Sequence, residues 1–171
     1  MRDATPADSG STTPTTAQLS VWRDFLRLHA TVIRRLEAEL ETEQDLSLGS
    51  YDVLVQLAEA DRHRLRMSEL AGRVLLSRSG LTRLIDRLVR DGLVVREPVT
   101  GDARGAWAVL TGDGLARLRQ ASRTHLRGVR RHMVGLFESA DYAQLGELMQ
   151  RSLVRAERSG EPVHGTPQPL R

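Results

Sequence analysis

Seven positions near the N-terminus, Leu19, Trp22, Leu26, His29, Ile33, Leu36 and Leu40, follow a 3-4-3-4-3-4 spacing. A period of 3.5 residues keeps an apolar seam in line along a helix that packs lengthwise on another helix. Phe25, Leu28 and Val32 widen the seam. The pattern predicts a helix over 17–43, and at 1.5 Å per residue such a helix extends roughly 40 Å. A chain of 171 residues has material for one domain, but too little to cover that helix from end to end. The seam therefore reads as part of an intersubunit interface, with an intrachain core helix as the alternative.

Helical periodicity governs most of the remaining chain. A second helix is expected over 49–59, with Ser47 as its N-cap and Tyr51, Leu54, Val55, Leu57 and Ala58 on its apolar side. "MSELAGRVL" gives a short helix with Leu70, Ala71 and Val74 inward. "LSRSGLTRLIDRLVRDGLV", residues 76–94, gives the next, from Ser77 as N-cap to a stop at Asp91-Gly92. "LVVREPV" and "GAWAVLT" flank residues 100–104, and two short β-rich runs around a Gly/Asp turn make a hairpin. A long helix is expected over 112–137, with a stripe of Leu115, Leu118, Ser122, Leu126, Val129, Met133 and Leu136. A last one, over 141–158, carries Leu145, Leu148, Met149 and Leu153. The order shows no βαβ alternation and no repeat of the length that marks solenoids. Residues 1–16, rich in Ser, Thr, Pro and Gly, and residues 159–171 read as a disordered N-terminal and a flexible C-terminal tail.

On a helical wheel Leu81, Leu84, Ile85 and Leu88 share one side and must face a core. Ser79, Arg83, Asp86, Arg87 and Arg90 lie opposite, Thr82 lies on the border, and Arg78 projects from the first turn. The bland interpretation is a solvated face with an Asp86–Arg90 pair worth tenths of a kcal/mol. Three features favour an approach to DNA. The helix follows a short helix through the tight link "LLS", as in a helix-turn-helix. Its first turn is small or hydrogen-bonding (Ser77, Ser79, Gly80, Thr82), and helix N-terminal amides favour a phosphate. The hairpin beyond it carries Arg104 at its turn, where it can reach a minor groove. Charge is segregated to match: residues 37–61 hold eight acids and no base, residues 62–104 ten arginines against five acids. All 25 basic residues are Arg.

The run "MSELAGRVLLSRSGLTRLIDRLVRDGLVVREPVTGDARGAWAVLTGDG" resembles the MarR family of winged-helix regulators. The matching elements are Ser68-Glu69-Leu70-Ala71, Leu81-Thr82-Arg83-Leu84-Ile85-Asp86-Arg87-Leu88, Asp91-Gly92-Leu93-Val94, Asp102-x-Arg104, and Val109-Leu110-Thr111 with Gly114. The resemblance extends over residues 22–153. It implies a mainly α fold with a small β-hairpin wing: a winged helix-turn-helix DNA-binding domain over 47–111, flanked by N- and C-terminal dimerisation helices over 17–43 and 112–158. It implies that Arg78, Ser79, Gly80, Thr82 and Arg83 enter a major groove, that Arg104 is the wing arginine, and that Asp102 helps set the wing turn. Ser77 and Arg87 complete the expected DNA-binding set, and Arg90 is expected to pair with Asp86. Two departures stand out. Arg66 occupies the place where the family usually has Thr or Ser, so the N-cap of the short helix is lost or shifts to Ser68, a cost of about 1 kcal/mol if uncompensated. Only Arg96 and Arg104 are basic in the wing, which points to a weaker minor-groove grip.

No catalytic constellation is present in the sequence, and an enzyme is not expected. Histidines at 29, 63, 125, 132 and 164 show no i,i+4 pairing and no HExxH, and there is neither GxSxG nor a Gly-rich phosphate loop. No metal or cofactor is expected. The absence of cysteine excludes disulfides, thiolate nucleophiles and peroxide sensing through a thiol, and fits a reducing cytoplasm. No apolar run approaches the roughly 18 residues of a membrane span, and the N-terminus lacks a signal-peptide core. The resemblance also implies a small-molecule effector, often a phenol or aromatic acid, bound between the dimer helices and the winged domain. Trp22, Phe25, His29 and Tyr51 could line such a cleft, with plain core packing as the alternative for each. His29 interrupts an apolar seam and is either an interface histidine or a ligand or pH contact. The expectation is a cytoplasmic, homodimeric transcription regulator, a repressor, acting on double-stranded DNA at a pseudo-palindromic operator. The alternative is a winged-helix protein-interaction module, which would lack the steep salt dependence of DNA binding.

Overall fold

The structure, a computed structural model, describes residues 13–74, 78–99 and 101–158. Helix α1 (Thr16–Gln44) starts from Thr15, whose Oγ1 accepts from Gln18 N at 3.3 Å while Gln18 Oε1 accepts from Thr15 N at 2.8 Å. This reciprocal capping satisfies two of the amides that a helix start leaves open. The helix ends at Asp45, in the left-handed region at φ 44°. Ser47 then caps α2 (Leu48–Glu59) by accepting from Ser50 N at 3.1 Å. A 3-10 turn over Asp61–His63 leads to β1 (Arg64–Arg66), α3 (Met67–Arg73), α4 (Arg78–Arg90), β2 (Val94–Val99) and β3 (Asp102–Leu110). Helices α5 (Gly112–His132) and α6 (Ser139–Arg158) complete the order.

The strands form an antiparallel sheet in the order β1-β3-β2. Its register, Leu65 opposite Ala108 and Val94 opposite Leu110, places these four buried residues on one face. They share a core with Leu54 and Leu57 of α2, Leu70 of α3, and Leu81, Ile85 and Leu88 of α4. Each fully buried Leu or Ile side chain contributes about 1.5–3 kcal/mol. The arrangement is a helix-turn-helix backed by a three-stranded sheet whose β2–β3 hairpin projects as a wing.

Helix α5 runs from the sheet to α1. Their axes come close at Gly128, where a Cβ would lie 2.7 Å from Leu36 Cδ2 and 2.6 Å from Glu39 Oε2. Polar pairs flank that contact. Glu39 Oε1 receives Arg131 at 3.1 Å and His132 Nε2 at 2.8 Å. Thr124 Oγ1 donates to Glu43 Oε2 at 3.1 Å, and Arg127 pairs with the same carboxylate. The Arg127 guanidinium holds the Glu43 carboxyl below its usual range. Part of the acidic stretch of the sequence is thus matched by α5 arginines.

The structure departs from or adds to the local expectations at several points. Strand β1 has no counterpart in the sequence pattern, because three residues cannot display a period. The hairpin turn is tighter than residues 100–104: β3 begins at Asp102, paired with Val99 beside an irregularity at Pro98/Val99. Helix α5 stops at His132, since Met133 leaves the helical region (φ −124°, ψ −63°) and a 3-10 turn succeeds it; Leu126, expected in its buried stripe, is 57% exposed. At the start of α3 the N-cap side-chain bond is lost, as expected, and it does not shift to Ser68. The helix begins at Met67, and Glu69 Oε2 accepts from Arg66 N at 3.2 Å, so the third residue of the helix caps backwards. The N-terminal seam is used only at its end: Leu36 and Leu40 are 5% and 0% exposed, Trp22 and Phe25 54% and 46%. Along α6 every described side chain except Leu145 is exposed.

Between α2 and α5, the Tyr51 ring stacks on His125 at 4.4 Å, and the Tyr51 hydroxyl donates to Ser122 Oγ at 3.4 Å. His125 Nδ1 is buried and has no hydrogen-bond partner among the described residues. Burial holds the imidazole below its ordinary value of 6.5 and pushes the Tyr51 phenol up. The unfolded chain therefore binds a proton at His125 near pH 6.5 that the folded chain refuses, and stability falls as the pH drops below 6.5. His125→Phe should flatten this part of the acid slope. Urea midpoints that fall in parallel for both proteins below pH 6.5 would show that His125 is not held neutral.

A second measurement probes the junction of sheet and α5. Thr111 Oγ1 accepts from Gly114 N at 2.9 Å and caps α5, and a Cβ on Gly114 would lie 2.1 Å from the Leu93 carbonyl oxygen. Gly114→Ala should destabilise by about 1–3 kcal/mol through overpacking. Gly72→Ala in α3, where a Cβ meets nothing within 4 Å, should be neutral or stabilise by up to about 1 kcal/mol. Equal urea midpoints for the two variants would contradict this.

Candidate nucleic-acid interface

Helix α4 divides by side. Leu81, Ile85 and Leu88 are buried, while Thr82, Arg83, Asp86, Arg87 and Arg90 are exposed. Ser79 is exposed and Gly80 half-buried at the first turn. Ser77 and the side chains of Arg78 and Arg104 lie outside the described residues.

The expected Asp86–Arg90 pair is replaced by a longer-range one. Arg96, on strand β2, donates from Nη1 to Asp86 Oδ1 at 2.6 Å and from Nη2 to the Thr82 carbonyl at 3.5 Å. Arg96 therefore ties the wing strand to α4 and does not extend the basic surface of the wing. The physical reason is reach: β2 runs back from the end of α4, and the one carboxylate on the outer face of the helix meets the guanidinium of a strand residue. With Asp86 matched, Arg83, Arg87 and Arg90 form an exposed cationic row that has no ion-pairing carboxylate among the described residues. Such a row on the outer face of the second helix of a helix-turn-helix suits the phosphates and guanine edges of a major groove.

The hairpin turns through Gly101, at φ 81°, and Asp102 after it is exposed. Asp102 Oδ2 lies 3.7 Å from Arg66 Nη1. Sequence reasoning missed the surroundings of Trp107: it stands on β3 with the guanidinium carbons of Arg64 and Arg66 4.7 and 5.4 Å from its ring centroid. Only the register of β1 on β3 brings these three side chains together, so no local motif could reveal them.

The four residues expected at an effector cleft divide into two groups. Trp22, Phe25 and His29 stack in series along the exposed half of α1, with centroids 6.0 and 6.3 Å apart. Tyr51 is buried against His125. Among the described residues no group of three potential ligands is arranged to hold a metal ion, and no helix is long and apolar enough to cross a membrane.

Comparison with known proteins points one way. The model of the MarR family matches residues 44–105. The chain is 43% identical over 75 residues to the HTH-type transcriptional repressor YetL of Bacillus subtilis, a match that covers 44% of this chain and spans less than half, 45%, of that protein. Two solved structures from Streptomyces coelicolor are similar over nearly their whole length. AbsC, a MarR family transcriptional regulator, is 31% identical with a TM-score of 0.74, over 88% of this chain and all of its own. Sco3205, a MarR family transcriptional regulator solved in complex with DNA, is 31% identical with a TM-score of 0.76, over 91% of this chain and 98% of its own.

The Asp86–Arg96 link is open to a double-mutant cycle. Their side chains are 51% and 36% exposed, so solvent screening limits the pair to about 0.2–1 kcal/mol. Asp86→Asn, Arg96→Met and the double variant, compared by urea unfolding, should show a coupling within that range. Strict additivity would mean that the contact does not hold strand to helix.

Proposed function

This chain belongs to the MarR family of transcriptional regulators, and we propose that it is a homodimeric repressor that binds a pseudo-palindromic operator in double-stranded DNA. The observation that carries the DNA-binding part is the α4 face on which Asp86 is matched by Arg96 and three arginines find no carboxylate among the described residues. In this reading residues 47–111 are the DNA-binding domain, and residues 17–43 and 112–158 build the dimer. Helix α4 lies in a major groove, with Arg78, Ser79, Gly80, Thr82 and Arg83 toward base edges and the nearer phosphates and Arg87 on the backbone. The wing, turned at Asp102, carries Arg104 to the adjacent minor groove. The exposed apolar residues of α1 and α6 support the homodimer, since Trp22, Phe25, Leu26, Leu148 and Leu153 stay open to solvent in the single chain. A two-fold dimer sets half-site centres about one helical turn, roughly 10 bp, apart. Repression results from occupancy of such a site, and the similarity to a named repressor supports that sign. A small aromatic or phenolic effector belongs to the same reading, with Trp22, Phe25 and His29 as the aromatic strip it would meet.

The test is binding of the full chain to duplexes selected from random DNA. The selected sites should be pseudo-palindromic, and affinity should fall steeply with salt as counterions are released. Arg83→Ala should lose about 1–3 kcal/mol on the selected site and much less on random DNA. Equal loss on both would make Arg83 a phosphate contact, and failure to select any sequence over random would sink the proposal. Sedimentation should give twice the mass of the chain in the free state, and the mass of two chains plus one duplex in the bound state.

A further inference from the structure

The outer face of the sheet carries a row of groups without an assigned task. Alternation along β1 puts Arg64 and Arg66 on the side opposite the buried Leu65. Register places Trp107 across from Arg66, and Glu97 across from Trp107, on that same side. Both guanidinium groups lie within cation–π reach of the indole. Arg64 turns toward Glu97, with Nη1 4.0 Å from Oε2. Arg66 turns the other way, toward the wing, with Nη1 3.7 Å from Asp102 Oδ2. The Asp102 carboxylate reaches that position by lying over Gly105, where a Cβ would come within 2.6 Å of Oδ2 and 3.0 Å of Cγ. The path across the strand is open only because residue 105 has no side chain. Arg66 is also the N-cap residue of α3, so a single residue reaches from the helix-turn-helix to the first residue of the outgoing wing strand.

We infer that Arg66 is a positioning residue for the wing. Laid against Trp107 and paired with Asp102, it sets the angle at which the hairpin leaves the α3–α4 helix pair, and hence how the wing meets a minor groove. A guanidinium suits this task because its plane stacks on an aromatic ring while its edge still donates hydrogen bonds. An ammonium offers no flat face, so Arg66→Lys should behave as a loss. The inference rests on the proposed role of the wing in DNA binding, and its test separates the two.

In the free protein, Arg66→Gln, Arg66→Lys and Asp102→Asn should each speed amide hydrogen exchange at residues 101–106 by about 1.5–5-fold, the range open to an exposed pair, with little change in Tm. On a selected duplex, Arg66→Gln should weaken binding by a similar factor. In an Arg104→Ala background the same substitution should have no further effect, since no wing contact is left to misplace. Unchanged exchange at 101–106 overturns the inference. So does an undiminished loss in the Arg104→Ala background with a salt slope lower by about one, which identifies a direct phosphate contact. If Arg104→Ala alone leaves affinity unchanged, the proposed role of the wing fails, and the exchange rates alone decide whether Arg66 holds the hairpin.

Discussion

The Leu93 carbonyl is the point on which the geometry of the molecule turns. Helix α4 stops at Gly92, whose φ of 73° takes the chain out of the helix, and Leu93 N returns to the Leu88 carbonyl at 2.9 Å. Thr111 N donates to Leu93 O at 3.1 Å, and the Thr111 hydroxyl donates to Gly92 O at 2.8 Å while it caps α5. Gly114 then presses its Cα against the same carbonyl. The end of α4, the start of β2, the end of β3 and the start of α5 are thus locked by backbone contacts and one short hydroxyl. The angle between the arginine-bearing helix and the long helix α5 is fixed here. Any surface built on α5 and α1 therefore holds α4 at a set distance and tilt.

Charge obeys the same local matching. The acidic residues of α1 that face α5 are answered by Arg127, Arg131 and His132, and Asp86 is answered by Arg96. Net charge says little about such a molecule, because the pairs cancel where elements meet. Part of the charge left uncancelled is the exposed row of Arg83, Arg87 and Arg90 on α4. Exposed pairs contribute little to stability, but they remove negative charge from the surface proposed to approach phosphate. The Asp86–Arg96 pair therefore bears on the field at the surface as well as on the hold between strand and helix.

Much of this was legible in the sequence, and the reason is periodicity. The inward face of α4 and the Ser47 cap of α2 are local features that a wheel or a cap rule can read. A seam too long for one chain to cover agrees with α1 being partly exposed, but which end is buried was not legible. Tertiary pairing was not legible. The Arg96–Asp86 contact spans ten residues, and the Arg66–Trp107–Asp102 group needs the register of β1 on β3. Strand β1 is too short for a period of its own and exists because β3 offers it an edge. Leu126 fits the 3.6-residue stripe of α5, yet it is exposed because it lies on the side of the helix away from α1, which packs at Thr124, Arg127 and Gly128.

The exposed apolar faces bear on how the fold exists at all. Isolated helices of ordinary composition are marginal in water, and packing of one face supplies most of the stability of a helix in a protein. Helix α6 has twenty residues and a single half-buried one among those described, so little of its order comes from its own chain. The first half of α1 is in the same position, with Trp22, Phe25 and Leu26 open to solvent. Apolar surface of this kind, on two helices that flank one module, is covered most simply by the same surface of a second copy, since a two-fold interface is self-complementary. In the proposed dimer, association would complete the fold, and stability would depend on protomer concentration. It would also place two copies of α4 at a separation dictated by the Leu93 junction. The contact that shapes the monomer would then set the spacing between the two arginine rows.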